Sequence, residues 1–262
     1  MNNSISLSFI LLISTIFTCA QKKDGPLTSY HPKIWSSPTE GTFNYRHAAP
    51  VKIIKGKKYP LLVFFHGAGG RGVDNKGQLL DAGGLSAFEK MGVRTKLNSH
   101  IFAGQVPKGE KWVNVSWSLL GHKTPEISES MRMAMEAIDS FIQNPKNQVD
   151  TSRIYAMGLS MGGYGTWDAI QRRPNFFAAA VPICGGGDKS IAKKLVNLPI
   201  WAWHGEKDTV IKPSRSRDMI EAITKAGGTP KYSEIKGRGH NSWIDCWKSQ
   251  ELWSWLYSQR KK

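Results

Sequence analysis

Apolar positions in this chain fall into short unbroken runs, and amphipathic stretches separate them. The run Tyr59-Pro60-Leu61-Leu62-Val63-Phe64-Phe65 leaves no polar position to turn toward water. A strand of that kind has to be covered on both faces, as in the middle of a parallel sheet. Buried strands are expected in the same way over 101–106, 154–157, 177–183 and 199–204, with a last strand over 231–235. Between these runs the period changes to that of a helix. Residues 126–142 put Met131, Met135, Ile138 and Ile142 on one stripe facing a core. Residues 163–173 predict a helix stopped by Pro174, and 213–225 one that starts at Pro213 and ends before Gly227-Gly228. Residues 243–258 predict a single amphipathic helix, and 74–90 a helix with an irregular entry. Residues 42–48 and 51–54 alternate as a hairpin or two edge strands would. Strand and helix taking turns throughout predict a single α/β domain, a mostly parallel central sheet with helices on both faces.

The N-terminal segment has another character. Residues 1–21 carry no charged side chain, and residues 5–17 are apolar with only small hydroxyl interruptions. That length fits the hydrophobic region of a signal peptide better than a membrane span. Two processing routes fit: Thr18-Cys19-Ala20 before Gln21 suits small-x-small cleavage, and Cys19 stands where a bacterial lipoprotein carries its lipid. The expected organisation is a signal peptide over 1–20, a Lys-, Pro-, Ser- and Thr-rich linker over 21–40, and a catalytic domain over 41–262. The protein is expected to be exported, whether periplasmic, an outer-membrane lipoprotein or secreted, and Cys19 is its one expected membrane attachment.

Composition narrows the partners. The 262 residues give a formal net charge of +16, yet the cations are scattered, and the one run is the tail Arg260-Lys261-Lys262. Nucleic-acid binding concentrates charge on one element, so no nucleic-acid partner is expected. Cys184 and Cys246 are far apart and read as small apolar fillers, neither a disulfide nor a metal pair. His31, His47, His100 and His122 show no metal-ligand spacing, and neither a metal nor another cofactor is expected.

The chemistry gathers where strands end. Ile154 to Met157 run straight into Gly158-Leu159-Ser160-Met161-Gly162, and a helical stretch follows. Strand, sharp turn and helix are what a nucleophile elbow requires, with glycines where no Cβ fits. Gly-x-Ser-x-Gly alone is a weak signal, and a solvated serine in a glycine-rich turn is the plainer reading. Partners decide the matter. His66-Gly67-Ala68-Gly69-Gly70-Arg71-Gly72 follows the first buried strand and frees backbone N–H groups for a ligand. It lacks the Gly-Lys-Ser/Thr of a phosphate loop and fits an oxyanion loop, with Ala68 as donor and Gly67 and Gly69 as alternatives. His66 reads as an orienting residue. Met161, the residue after the serine, supplies the second N–H.

Asp208 follows the strand at 199–204 and His240 the strand at 231–235, so the order is serine, acid, histidine. Ser160 as nucleophile needs a base, His240 is that base, and Asp208 fixes its tautomer. Glu206, Asp188 and Asp245 are rivals for the acid. Activity is expected to fall as the histidine protonates, near the ordinary imidazole pKa of about 6.5. Trp112, Trp117 and Trp243 are candidates to line the substrate, although a tryptophan capping the core is an equal reading.

The segments at 66–72, 158–167, 181–188, 203–208 and 239–243 together resemble the secreted bacterial α/β-hydrolases grouped with feruloyl and acetyl-xylan esterases. They are also similar to phospholipase/carboxylesterase and prolyl-oligopeptidase-like serine hydrolases. The likeness runs from Pro60 to Leu256. It implies an α/β-hydrolase fold and hydrolysis of carboxylic esters, small or linked to a polysaccharide, through an acyl-enzyme without a cofactor. A prolyl-oligopeptidase-like peptidase is the nearest alternative. A non-catalytic carbohydrate-binding surface protein is the alternative of another class, motivated by the ten tryptophans.

Overall fold

A computed structural model describes residues 27–39 and 41–261. The expected signal peptide and the expected cleavage or lipidation site at Cys19 lie outside the described residues. Eight strands form one sheet: β1 (His31–Ser36), β2 (Thr42–Ala48), β3 (Tyr59–Phe65), β4 (His100–Gly104), β5 (Val149–Leu159), β6 (Ala179–Ile183), β7 (Trp201–Gly205) and β8 (Lys231–Ile235). Their spatial order is β1-β2-β4-β3-β5-β6-β7-β8. The pairs β1–β2 and β2–β4 are antiparallel and all others are parallel. This is the α/β-hydrolase arrangement, a mostly parallel sheet in a single α/β unit.

The alternation of side chains across the pleat builds two cores. Leu61, Val63 and Phe65 of β3, with Ile154 and Ala156 of β5, point to one side. There they meet Met131, Ile138 and Phe141 of a long helix (Glu129–Gln143), and Tyr164, Trp167 and Ile170 of the helix Met161–Arg172. Met219 and Ile223 of Ser214–Lys225 complete this layer. Leu62, Phe64, Tyr155 and Met157 point the other way, onto Phe88 of Gly84–Lys90, Val93 of Val93–Leu97, Trp247 of Trp243–Lys248, and Leu252, Trp253 and Leu256 of Gln250–Ser258. The seven buried residues of β3 thus serve both layers.

Some expectations change. Residues 51–54 form no strand, and Val51, Ile53 and Ile54 are exposed. The neighbours of β2 are β1, with which it forms a hairpin, and β4, and together they leave no edge for residues 51–54. Strand β1 lies within the stretch read as linker; it is exposed except for half-buried Trp35, and its residues give no periodic signal. The C-terminal helix is broken at Ser249, whose extended backbone (φ −74°, ψ 104°) places its hydroxyl to accept from the Leu252 N–H at 3.1 Å. The break lets Trp247 and Trp253 both enter the core, with the Trp253 indole N–H donating to the Trp247 carbonyl at 3.0 Å. Within residues 74–90 lie two short helices, Gly77–Leu80 and Gly84–Lys90, joined by a 3-10 turn at Asp81–Gly83.

Strand order reverses beside β3. The chain leaves β3 for β4 on one side, then returns to β5 on the other. Ligands of open α/β sheets bind beyond the strand ends at such a switch point. The loops after β3 and β5 carry His66–Gly72 and Ser160.

Phe88 is fully buried and meets the rings of Phe64, Trp247 and Trp253 edge-on, with centroids 5.0–5.5 Å away. Phe88→Ala should therefore destabilise the fold by about 3–5 kcal/mol, read as a lower urea midpoint at unchanged slope.

Candidate active site

The elbow is built by backbone contact. A Cβ on Gly162 would collide with the Phe65 carbonyl, and one on Gly163 with the Ile183 carbonyl. A Cβ on Gly158 would collide with the Gly162 carbonyl and stand 2.7 Å from Phe65 Cβ. The three glycines let the turn press between the ends of β3 and β6. Ser160 itself is held at φ 55°, ψ −118°, a region that a residue with a side chain occupies only when its surroundings impose it. Its N–H donates to the Ile183 carbonyl at 2.9 Å, and the helix begins at the next residue.

The structure brings Ser160, His240 and Asp208 together. Ser160 Oγ is 2.8 Å from His240 Nε2, and His240 Nδ1 is 2.7 Å from Asp208 Oδ2. A carboxylate only accepts, so Nδ1 carries the proton and Nε2 turns its lone pair to the serine hydroxyl. The Asp208 side chain is fully buried, while that of His240 is 18% exposed and so reaches the surface beside a half-buried serine. Burial pushes the Asp208 carboxyl up. Hydrogen bonds from His204 and His240 and the Ile211 N–H outweigh it and hold the group well below the usual carboxylate range. Its Oδ1 accepts from the N–H groups of Val210 and Ile211 at 2.9 and 3.0 Å.

The two loops carrying Asp208 and His240 are laced together. Glu206 N–H donates to the Ile235 carbonyl at 3.1 Å and Lys207 N–H to the Arg238 carbonyl at 2.8 Å. Gly205 permits this, because a Cβ there would collide with the Gly239 carbonyl. The rival acids are engaged elsewhere. Asp188 accepts from Thr124 and Ser190, Glu206 from the Gly237 N–H, and Asp245 pairs with Arg238 at 2.7 Å.

Ala68 opens a short 3-10 turn (Ala68–Gly70), and Met161 opens the helix after the serine. First-turn N–H groups have no acceptor within their own helix. His66 holds the loop that carries Ala68. It is fully buried, its Nδ1–H donates to the Gly67 carbonyl at 2.6 Å, and its Nε2 accepts from the Val106 N–H at 3.0 Å. Burial pushes its pKa down to about 4, so the ring is neutral and structural.

The candidate substrate-lining residues divide. Trp112 is a correction: it is 1% exposed, meets Phe65 edge-on and donates its indole N–H to the His66 carbonyl at 3.0 Å. It supports the loop from beneath and presents no surface to a ligand. Trp117 is half-buried, and its carbonyl faces the Tyr164 hydroxyl at 3.4 Å. Trp243 is half-buried and stands edge-on to the His240 ring at 5.4 Å.

Sequence reasoning passed over two groups. His204, at the end of β7, touches Asp208 Oδ2 at 3.3 Å. Arg215 is buried beside Tyr164 and hydrogen-bonds His122, in the wall of a cavity of about 340 Å³ that Asp188 also lines. A histidine four residues before the acid and an arginine in the first turn of the helix after it were the available signals. The atoms of Cys184, His204 and Asp208 lie within 4.8 Å of one another, as metal ligands could. Each is already committed: Cys184 Sγ to Ser242 Oγ at 2.9 Å, His204 to Ser216, and Asp208 to His240. Burial pushes the Cys184 thiol up to about 12, which leaves it protonated and a poor ligand.

Comparison with known proteins adds the family. The dienelactone hydrolase family model matches residues 98–241, more than half of the chain, a span that includes Ser160, Asp208 and His240. Poly(3-hydroxyalkanoate) depolymerase C of Paucimonas lemoignei is 25% identical over 187 residues, covering 58% of this chain and 45% of its own. The bifunctional acetylxylan esterase/xylanase XynS20E of Neocallimastix patriciarum is 25% identical over 142 residues, covering 54% of this chain and 20% of its own. The chain thus spans less than half the length of either. A thermostable esterase of known crystal structure superposes with a TM-score of 0.81 at 32% identity, over 90% of this chain and 64% of that one. The acylaminoacyl peptidase of Pyrococcus horikoshii gives 0.64 at 17% identity, over 90% and 43%, a likeness of fold alone.

The neutral state of His66 has a consequence for stability. Its folded pKa of about 4 lies below the ordinary 6.5, so between those values the unfolded chain binds the extra proton. Stability from this group is complete above pH 6.5 and is lost as pH falls toward 4. His66→Gln should remove about 2 kcal/mol of the stability difference between pH 7 and pH 5, measured by urea unfolding at both.

Proposed function

Because this chain belongs to the dienelactone hydrolase family, we propose that it is a serine hydrolase of carboxylic esters, working through an acyl-enzyme. The observation that carries the reading is the continuous contact from Ser160 Oγ through His240 to Asp208, with the serine at a strained elbow. His240 Nε2 takes the hydroxyl proton as Oγ attacks the substrate carbonyl. The oxygen that becomes anionic lies against the N–H groups of Met161 and Ala68, at the positive end of the helix Met161–Arg172. Collapse of the adduct breaks the ester C–O bond, and the leaving alcohol receives the proton from His240. Water, deprotonated by the same nitrogen, then attacks the acyl-enzyme and releases the acid and Ser160. Asp208 remains ionised throughout, stabilising the transient imidazolium without taking its proton.

For the substrate, the reading is an acyl or feruloyl ester, including esters carried on a polysaccharide. The acetylxylan esterase relative and the half-buried Trp117 and Trp243 support it. The depolymerase relative adds polyesters of hydroxy acids to the candidates. A polymeric substrate outside the cell requires export, for which the apolar run at residues 5–17 is the support.

Turnover of p-nitrophenyl acetate and butyrate and of methyl ferulate is the test. The parent protein should hydrolyse at least one of them, and Ser160→Ala should reduce kcat by roughly 10³-fold or more. Equal rates in the two proteins would end the hydrolase reading. A fluorophosphonate probe should label the parent at Ser160, whereas a carbohydrate-binding protein of this fold would stay unlabelled.

A further inference from the structure

Asp208 Oδ2 faces two imidazoles. His240 Nδ1 is 2.7 Å away and His204 Nε2 is 3.3 Å away, on the same oxygen. His204 lies on β7 and is wholly buried. Its Nε2 is also 3.0 Å from the Ile211 carbonyl, which can only accept, so Nε2 carries a proton. Its Nδ1 is 2.8 Å from Ser216 Oγ, in the first turn of Ser214–Lys225, and that hydroxyl is 3.2 Å from the Gly185 carbonyl. An unbroken line of polar contacts therefore runs from the loop after β6, through Ser216, His204, Asp208 and His240, to Ser160.

We propose that His204 is a positioning residue for the triad acid, sharing its Nε2–H between the Ile211 carbonyl and Asp208 Oδ2 and so setting how strongly Asp208 supports the imidazolium of His240. The proposal rests on the role given to His240 under the hydrolase reading, while its geometry stands independently. Two physical effects follow. The bond fixes the carboxylate plane, together with the Val210 and Ile211 N–H groups on Oδ1. It also draws off part of the negative charge that would otherwise act on His240 alone. Without it, the His240 cation is favoured, and as pH falls the free base needed for attack is lost at a higher pH.

The charged and titratable neighbours are few. Glu234 of β8 pairs with His204 in the strand register and is itself held by Arg217 and Tyr232. Burial raises Cys184, Tyr164 and Tyr232, which therefore stay neutral. Among these neighbours, the one acceptor that both imidazoles share is Asp208.

The test is imidazole titration by ¹⁵N-resolved NMR in Ser160→Ala protein, which needs no turnover. Adding His204→Leu should move the His240 midpoint up by about half a unit to one unit, three- to tenfold in the equilibrium, and His204→Gln, which retains an N–H, should restore most of it. An unmoved midpoint in folded His204→Leu protein overturns the proposal, as does an identical shift in the Gln variant. If the Leu variant does not fold, the parent background decides. The His204 Nε2–H proton signal should shift on Asp208→Asn, and an unchanged signal overturns the proposal. Missing ester turnover would remove the hydrolase reading and leave this titration intact, so the two failures are distinguishable.

Discussion

The site depends on the contact of one turn of backbone with the backbones of its neighbours. Gly158, Gly162 and Gly163 let the turn after β5 sit between the carbonyls of Phe65 and Ile183, where a single methyl group would not fit. The cost is a residue in a disfavoured conformation at Ser160, of order 1–3 kcal/mol. It is held there by the Ser160 N–H bond to Ile183 and by the buried face of the following helix, with Tyr164, Trp167 and Ile170 in the core. Because the turn touches the ends of β3 and β6 directly, the loops leaving those strands have to flank the serine. The Ala68 loop is thus a neighbour of Ser160 by construction, and so is the Gly185–Gly187 segment against which Gly163 packs.

The same contact explains which parts of the site were legible in the sequence. Glycine spacing and unbroken apolar runs are local records of close approach and two-sided burial, and they point to β3, to the elbow and to Ser160, Asp208 and His240, which the structure brings into contact. Position relative to the strand ends favoured Asp208 over Asp188, Glu206 and Asp245 in the sequence, and the structure adds that those acids are spent on Thr124, Gly237 and Arg238. Trp112 was ambiguous for a related reason. A tryptophan beside a loop reads alike whether it faces a ligand or a core, and what buries it here lies far away in sequence. Gly165 leaves room for its Cβ and Gly104 for the far edge of its indole. Strand β1 was missed because an exposed strand takes its order from the open edge of β2, and nothing in its own residues announces it.

Three histidines near the site show how one side chain is given different work by its acceptors. His66 is buried with a carbonyl before it and an amide N–H behind it, so both nitrogens are committed to the backbone of the loop. Its role is to stiffen, and its neutrality keeps a positive charge out of the wall. His240 stands partly exposed between a carboxylate and a hydroxyl, the arrangement in which an imidazole can gain and lose a proton during a reaction. His204 shares the carboxylate with His240, but its other nitrogen ends on Ser216 inside the protein and not on the half-buried Ser160.

This difference bears on why the acid is so deeply buried. A carboxylate on the surface would be screened by water and would act weakly on His240. Burial strengthens its field, yet a buried charge with a single partner is costly. Asp208 avoids that cost by accepting on both oxygens: the Val210 and Ile211 N–H groups on Oδ1, and two imidazoles at Oδ2. The surrounding donors keep it ionised, and their number limits how much of its charge any one of them receives. The pull of Asp208 on the His240 ring is therefore a property of the whole buried cluster and follows from no one pair within it.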